Sequence, residues 1–136
     1  MFTSEIKIRV RYSETDRMGF VYYGNYAQYF EVARVEALRE MGFSYKEMED
    51  KGILLPVIDF SIRYFKPAHY DDLLTIKTSI MEMPGVKITF HYECMNESGV
   101  VLNIGKVTLA FTNALTGKPC APPEWFSTEI KKYFDA

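Results

Sequence analysis

The sequence predicts an α+β domain in which an antiparallel β-sheet packs around one long central helix. Three observations predict it. Several short segments alternate apolar and polar residues with a period of two, as half-buried strands do. One stretch, from Asn25 to Met41, carries apolar residues at helical spacing instead. The strand-like segments after that helix are joined mostly by tight turns, and short connections make neighbouring strands antiparallel.

Residues 5–12 open the pattern, with Ile6, Ile8, Val10 and Tyr12 on one face and Glu5, Lys7, Arg9 and Arg11 on the other. Ser13 to Gly24 reads as a loop, and Asn25 is a suitable N-cap for the helix that follows. Tyr26, Phe30, Ala33, Ala37 and Met41 make a narrow apolar stripe, while Val32, Val35 and Leu38 lie elsewhere around the cylinder. A helix apolar on more than one side is expected to be wrapped by the sheet. Gly42 is its natural stop, because a residue in the left-handed region ends many helices.

A short helix is expected from Tyr45 to Asp50, ending at Gly52, and then an extended segment from Ile53 to Lys66. Within it Ile58, Phe60, Ile62 and Tyr64 alternate with Asp59, Ser61 and Arg63. Leu74, Ile76, Thr78 and Ile80 carry the next strand, closed by Met83-Pro84-Gly85. Ile88, Phe90, Tyr92 and Cys94 define another, and Asn96 to Gly99 a hairpin loop. In the last strand, from about Val101 to Asn113, the parity changes between Ile104 and Val107, which predicts a β-bulge at Gly105. Pro123 is placed to open a final helix carrying Trp125, Phe126, Ile130, Tyr133 and Phe134.

With 136 residues, 48% of them hydrophobic, residues 1–136 read as a single domain with a full core. A domain of this size buries roughly two-thirds of its unfolded surface. The net charge of −2 implies no general attraction to nucleic acid or to an anionic membrane. Cys94 and Cys120 have no disulfide or zinc spacing. The lack of an apolar leader or an apolar run near membrane length makes a cytoplasmic location the expectation.

The chemistry is expected in the loop before the long helix. Asp16 lies there among Gly19, Gly24 and the aromatic residues Phe20, Tyr22 and Tyr23. An Asp in a loop often does no more than accept hydrogen bonds from its own backbone. Here the loop runs directly into a helix start, whose free N–H groups can hold a developing oxyanion. A carboxylate beside such a site is what acyl transfer or thioester hydrolysis needs.

The run Thr15-Asp16-Arg17-Met18-Gly19-Phe20-Val21-Tyr22-Tyr23-Gly24-Asn25-Tyr26, followed by Tyr29-Phe30-Glu31 and Arg34, resembles the signature of hotdog-fold acyl-CoA thioesterases. The hydroxybenzoyl-CoA and Tol-Pal-associated types are the most similar. The stretch IRYFKPAHYDD from Ile62 to Asp72 also fits that family's strand followed by a Pro-Ala turn. The resemblance implies that Asp16 attacks the thioester carbonyl or activates water against it. It implies that the backbone N–H of Tyr23 is the oxyanion donor and that Gly19 lets the loop approach the thioester. Many Tol-Pal-type members carry His where this chain has Tyr23; a main-chain donor survives that exchange, whereas an imidazole role does not.

Glu31 is a further candidate, either orienting Asp16 or water at the edge of the site or simply solvated and paired with Arg34. Phe20, Tyr22, Tyr26 and Tyr29 are candidates for the acyl pocket or else for packing, and Asn25 is a further substrate-binding candidate. Arg63, Lys66 and Lys87 are candidates for the phosphates of coenzyme A, Lys87 foremost because hotdog enzymes often bind the nucleotide near that hairpin. No metal and no cofactor beyond the coenzyme A of the substrate is expected. Family habit implies a homo-oligomer, a dimer or a dimer of dimers making a homotetramer, with the site shared between subunits.

Other chemistries fit poorly. His91 and Cys94 differ by three in a strand, so they face opposite sides and cannot form a nucleophile–base pair. Two histidines leave no zinc triad of His. The loop has no His for the Asp–His dyad of hotdog dehydratases. Two readings remain beside an acyl-CoA thioesterase: a non-catalytic acyl-thioester binding module, and a thioesterase acting on acyl carrier protein.

Overall fold

The computed structural model describes residues 1–134. Strand β1 spans Phe2–Arg9, helix α1 Asn25–Glu40 and helix α2 Tyr45–Asp50. Strands β2 (Ile53–Leu54), β3 (Val57–Tyr64), β4 (Leu73–Ile80), β5 (Lys87–Met95), β6 (Val101–Ala110) and β7 (Thr112–Asn113) follow, and helix α3 (Glu124–Lys131) comes last. The main sheet has five antiparallel strands in the order β1-β4-β5-β6-β3, and β2 pairs separately with β7. The sheet's inner face packs on α1, which is the hotdog arrangement.

The core follows the predicted alternation. Ile88, Phe90, Tyr92 and Cys94 of β5 are buried against Tyr26, Phe30, Ala33 and Ala37 of α1 in one cluster. At full burial each large apolar side chain contributes about 1.5–3 kcal/mol, so this face drives the collapse. Phe30 stacks on Tyr92, and Gly105 makes room for it. A Cβ on Gly105 would fall 2.6 Å from Phe30 Cε2. Helix α1 ends as expected at Gly42 (φ +97°), where the Phe43 N–H reaches Leu38 O at 2.9 Å and the Gly42 N–H reaches Arg39 O at 2.9 Å. That double bond pattern satisfies carbonyls the helix would otherwise leave open.

Four local expectations are corrected. Strand β1 begins at Phe2 and ends at Arg9, and Tyr12 lies in a 3-10 turn, 77% exposed. The turn starts because the Glu14 carboxylate captures the Arg11 N–H at 2.8 Å, which draws the chain out of the sheet. Asn25 is the first helical residue rather than the cap; Gly24 occupies that position. Val32 is half exposed, so the sheet covers α1 on fewer sides than its composition suggests.

The bulge in β6 is the fourth. Cys94 pairs with Asn103 and Met95 with Val101, so the extra residue is Leu102, while Gly105 stays in register opposite Tyr92. The bulged carbonyl of Leu102 accepts from both Phe65 N–H (2.8 Å) and Lys66 N–H (3.0 Å). It thereby fixes the end of β3 where the candidate site begins.

Candidate active site

The loop from Thr15 to Gly24 is built almost entirely from main-chain bonds. Asp16 N–H donates to Phe20 O (2.8 Å), and Gly19 N–H to Asp16 O (2.9 Å). Gly19 has φ +79°, a conformation that costs other residues steric strain, so the tight turn depends on it. Val21 N–H donates to Ala68 O at 2.8 Å, and Thr15 bridges to Val21. The loop is thus stitched to the β3–β4 connection on one side and to itself on the other.

Within that frame the Asp16 carboxylate is held by one oxygen. Oδ1 accepts from Met18 N–H (2.9 Å) and Phe20 N–H (3.2 Å). Both readings of this residue therefore meet in one geometry: Oδ1 closes the turn, and among the described residues no donor reaches Oδ2. Asp16 lines a cavity of about 320 Å³ together with Met18, Phe20, Val21, Tyr23, Tyr26, Tyr64, Phe65, Lys66 and Pro67. Its walls are apolar and aromatic, and Asp16 and Lys66 are the charged groups in them. The N–H groups of Tyr23 and Gly24, just ahead of α1, meet no acceptor among the described residues. At a helix start such donors favour negative charge.

Tyr26 and Tyr64 form one wall, with ring centroids 5.6 Å apart. Burial pushes the Tyr26 hydroxyl well above the usual phenol range, so it stays a neutral hydrogen-bonding group. Phe20 is fixed edge-on against His69 at 5.5 Å.

The other predicted residues are dispersed. Tyr22 packs against Tyr23 (4.8 Å between centroids) on the outside of the loop. A Cβ on Gly24 would meet the Tyr22 ring at 2.9 Å. Asn25 turns inward, its Nδ2 donating to Glu14 O at 2.8 Å. Glu31 lines a second cavity of about 290 Å³ with Gln28, Phe30, Arg34, Val57 and Phe60, beside the opposite end of β3. Arg63 points to the outer face of the sheet, into a cavity shared with Lys77, His91 and Lys106. Lys87 borders a separate groove with Met81, Pro84 and Thr89. Of the three basic candidates, only Lys66 reaches the Asp16 cavity.

The structure adds residues to the site. Tyr64 and Phe65 line it because the Leu102 bulge turns the end of β3 toward the loop. Their place at the end of an alternating strand, just before Lys66-Pro67, is the signal the sequence offered. Cys94 lies buried on the inner face, where burial pushes its thiol up to about 12, while His91 sits on the outer face. They do not meet.

Comparison with known proteins agrees with this fold. The family model described as the thioesterase superfamily matches residues 18–103. The acyl-CoA thioester hydrolase YbgC of Escherichia coli is 33% identical over 125 residues, covering 92% of this chain and 93% of that one. The acyl-CoA thioesterase YbgC of Haemophilus influenzae is 33% identical over 128 residues, covering 93% and 90%. Among solved structures, a DHNA-CoA thioesterase from Staphylococcus aureus superposes with a TM-score of 0.91 at 36% identity, covering 98% of this chain and 90% of that one. The chain is a hotdog-fold member of the thioesterase superfamily, a family of thioester hydrolases.

Proposed function

We propose that this chain hydrolyses acyl-CoA thioesters to a free acid and coenzyme A, with Asp16 as the catalytic carboxylate. The observation that carries the reading is the shared placement of Asp16 and Tyr23: both line one apolar cavity at the start of α1. A thioester carbonyl above Asp16 receives either the carboxylate itself or a water that Asp16 deprotonates. The carbonyl oxygen becomes negative and is met by the main-chain N–H of Tyr23. Collapse of that intermediate breaks the C–S bond and releases the thiolate of coenzyme A, which takes up a proton; on the direct-attack path water then hydrolyses the acyl-Asp16 anhydride, which frees the acid and restores the carboxylate. One oxyanion donor is worth about 3 kcal/mol in enzymes of this general kind.

The bonds to Asp16 Oδ1 support the assignment. Two amide donors fix the carboxylate's orientation, so its second oxygen is left for the substrate or water without the entropic cost of ordering it at each turnover. Apolar walls strengthen the interaction between the oxyanion and its donors by excluding water. Lys66, at the rim, is the basic residue best placed to meet a phosphate of the substrate.

A homodimer completes the proposal. Strand β3 is an unpaired sheet edge whose Val57, Ile58, Phe60 and Tyr64 are exposed, and an apolar free edge is an association surface. Antiparallel pairing of two β3 edges would set the Val57 end of one copy beside the Tyr64 end of the other. The cavity that holds Glu31 would then close over the Asp16 cavity of the second copy, which gives Glu31 a place at the edge of the site.

The test is turnover of a panel of acyl-CoA esters by the wild-type protein and by Asp16→Asn. A folded Asp16→Asn protein is expected to lose at least about 100-fold in kcat, the scale of a general base or more. Undiminished turnover in that variant rejects the reading.

A further inference from the structure

Among the described residues, Glu14 is the one charged side chain that is buried, with 6% of its surface exposed. It lies two residues before Asp16. Burying a carboxylate is costly unless its oxygens are fully bonded. Here they are. Oε1 accepts from the Arg11 N–H (2.8 Å) and the Tyr29 hydroxyl (2.9 Å), and Oε2 from the Arg11 guanidinium through Nη2 (3.0 Å) and Nε (3.3 Å).

The main chain of the same residue is also a junction. Glu14 O accepts from Tyr22 N–H (2.9 Å) and from Asn25 Nδ2 (2.8 Å). One residue therefore ties together the exit of β1, the returning arm of the loop, and the first two turns of α1. Asp16 is carried on the segment between these ties. The Tyr23 N–H is carried on the segment that Tyr22 and Asn25 fix.

We propose that Glu14 is a positioning residue for the hydrolysis: its buried carboxylate, bonded to Arg11 and Tyr29, sets the distance between Asp16 and the main-chain donors at the start of α1. The proposal rests on the reading of Asp16 as the catalytic carboxylate. Only an acceptor-only group satisfies all these donors at once. An amide at this position would turn its NH2 toward Arg11 in either orientation, against the main-chain N–H or against the guanidinium, where a donor already points. The anion is needed here for geometry, and Glu14 lines none of the cavities described above.

The experiment compares wild type, Glu14→Gln, Tyr29→Phe and Asp16→Asn, each read by acyl-CoA turnover and by amide hydrogen exchange. Tyr29→Phe removes the link between loop and helix while keeping the ring, so it guards against a Glu14 variant that fails to fold. In Glu14→Gln and Tyr29→Phe, kcat is expected to fall about tenfold or more with KM within about twofold, since small misplacements of a reacting group carry penalties of this order. Exchange at Met18 and Phe20, whose N–H groups hold Asp16, is expected to quicken about tenfold while Ile88 and Phe90 in the sheet stay protected. A general loss of stability would speed all four together.

Wild-type kcat and unchanged exchange at Met18 and Phe20 in both variants, beside an inactive Asp16→Asn, would overturn the role of Glu14 alone. Full turnover by Asp16→Asn would overturn the reading of Asp16 and this proposal with it.

Discussion

Phe30 lies flat on Tyr92, with ring centroids 4.4 Å apart and planes 7° from parallel. Both rings are fully buried, and the Phe30 edge passes directly over the backbone of Gly105. This contact joins the middle of α1 to the centre of the sheet, and the helix start that carries the Tyr23 N–H is aimed by it. The core and the candidate site are thus one mechanical unit.

Gly105→Ala is therefore expected to destabilise the protein by about 1–3 kcal/mol, the range for overpacking a filled core. The new Cβ would fall 2.6 Å from the Phe30 ring, which is already stacked on Tyr92, so the ring must leave that stack to make room. Urea unfolding of the variant, with an unchanged slope and a lower midpoint, checks this.

Stability at low pH is expected to depend on Glu14. Burial pushes its carboxyl up, but the bonds from the Arg11 N–H, the Arg11 side chain and the Tyr29 hydroxyl outweigh that and hold it below the usual carboxylate range. With a depressed folded-state pKa, the contribution is complete above the unfolded value of about 4.3 and is lost as pH falls through the folded value. Thermal unfolding from pH 6 down to pH 2 should therefore fall more steeply for wild type than for Glu14→Gln. Parallel curves would contradict it.

Ile58 is half exposed on the free edge strand. Ile58→Lys places a charge where two β3 edges would meet, at a site where one protomer loses little packing. Analytical ultracentrifugation should find a dimer for wild type and a monomer for the variant, with acyl-CoA turnover lost along with the dimer.

The three basic candidates separate by position. Lys66→Ala is expected to raise KM for an acyl-CoA ester several-fold with kcat little changed, because a single exposed phosphate contact contributes about 1 kcal/mol or less. Lys87→Ala and Arg63→Ala should raise KM less, since both side chains lie outside the Asp16 cavity. Steady-state kinetics at low ionic strength gives the order directly, and a larger effect at Lys87 would move the nucleotide to the Met83–Lys87 hairpin.

What the amino-acid order determined by itself was everything carried by local periodicity. The buried face of β5, the apolar stripe of α1, the stop at Gly42 and the short helix from Tyr45 to Asp50 were all legible, because a period of two or 3.6 residues is written into neighbouring positions. The tight glycine turn that carries Asp16 ahead of α1 was legible too.

Tertiary structure alone decided which strands became the sheet's edges, that the bulge falls at Leu102, and that Lys66 rather than Arg63 or Lys87 reaches the cavity. It also decided that Glu14 is buried. Strand order and register arise from pairing between distant segments. An acid in a polar loop looks ordinary until Arg11, the cap of its own turn, and Tyr29 of α1 close around it.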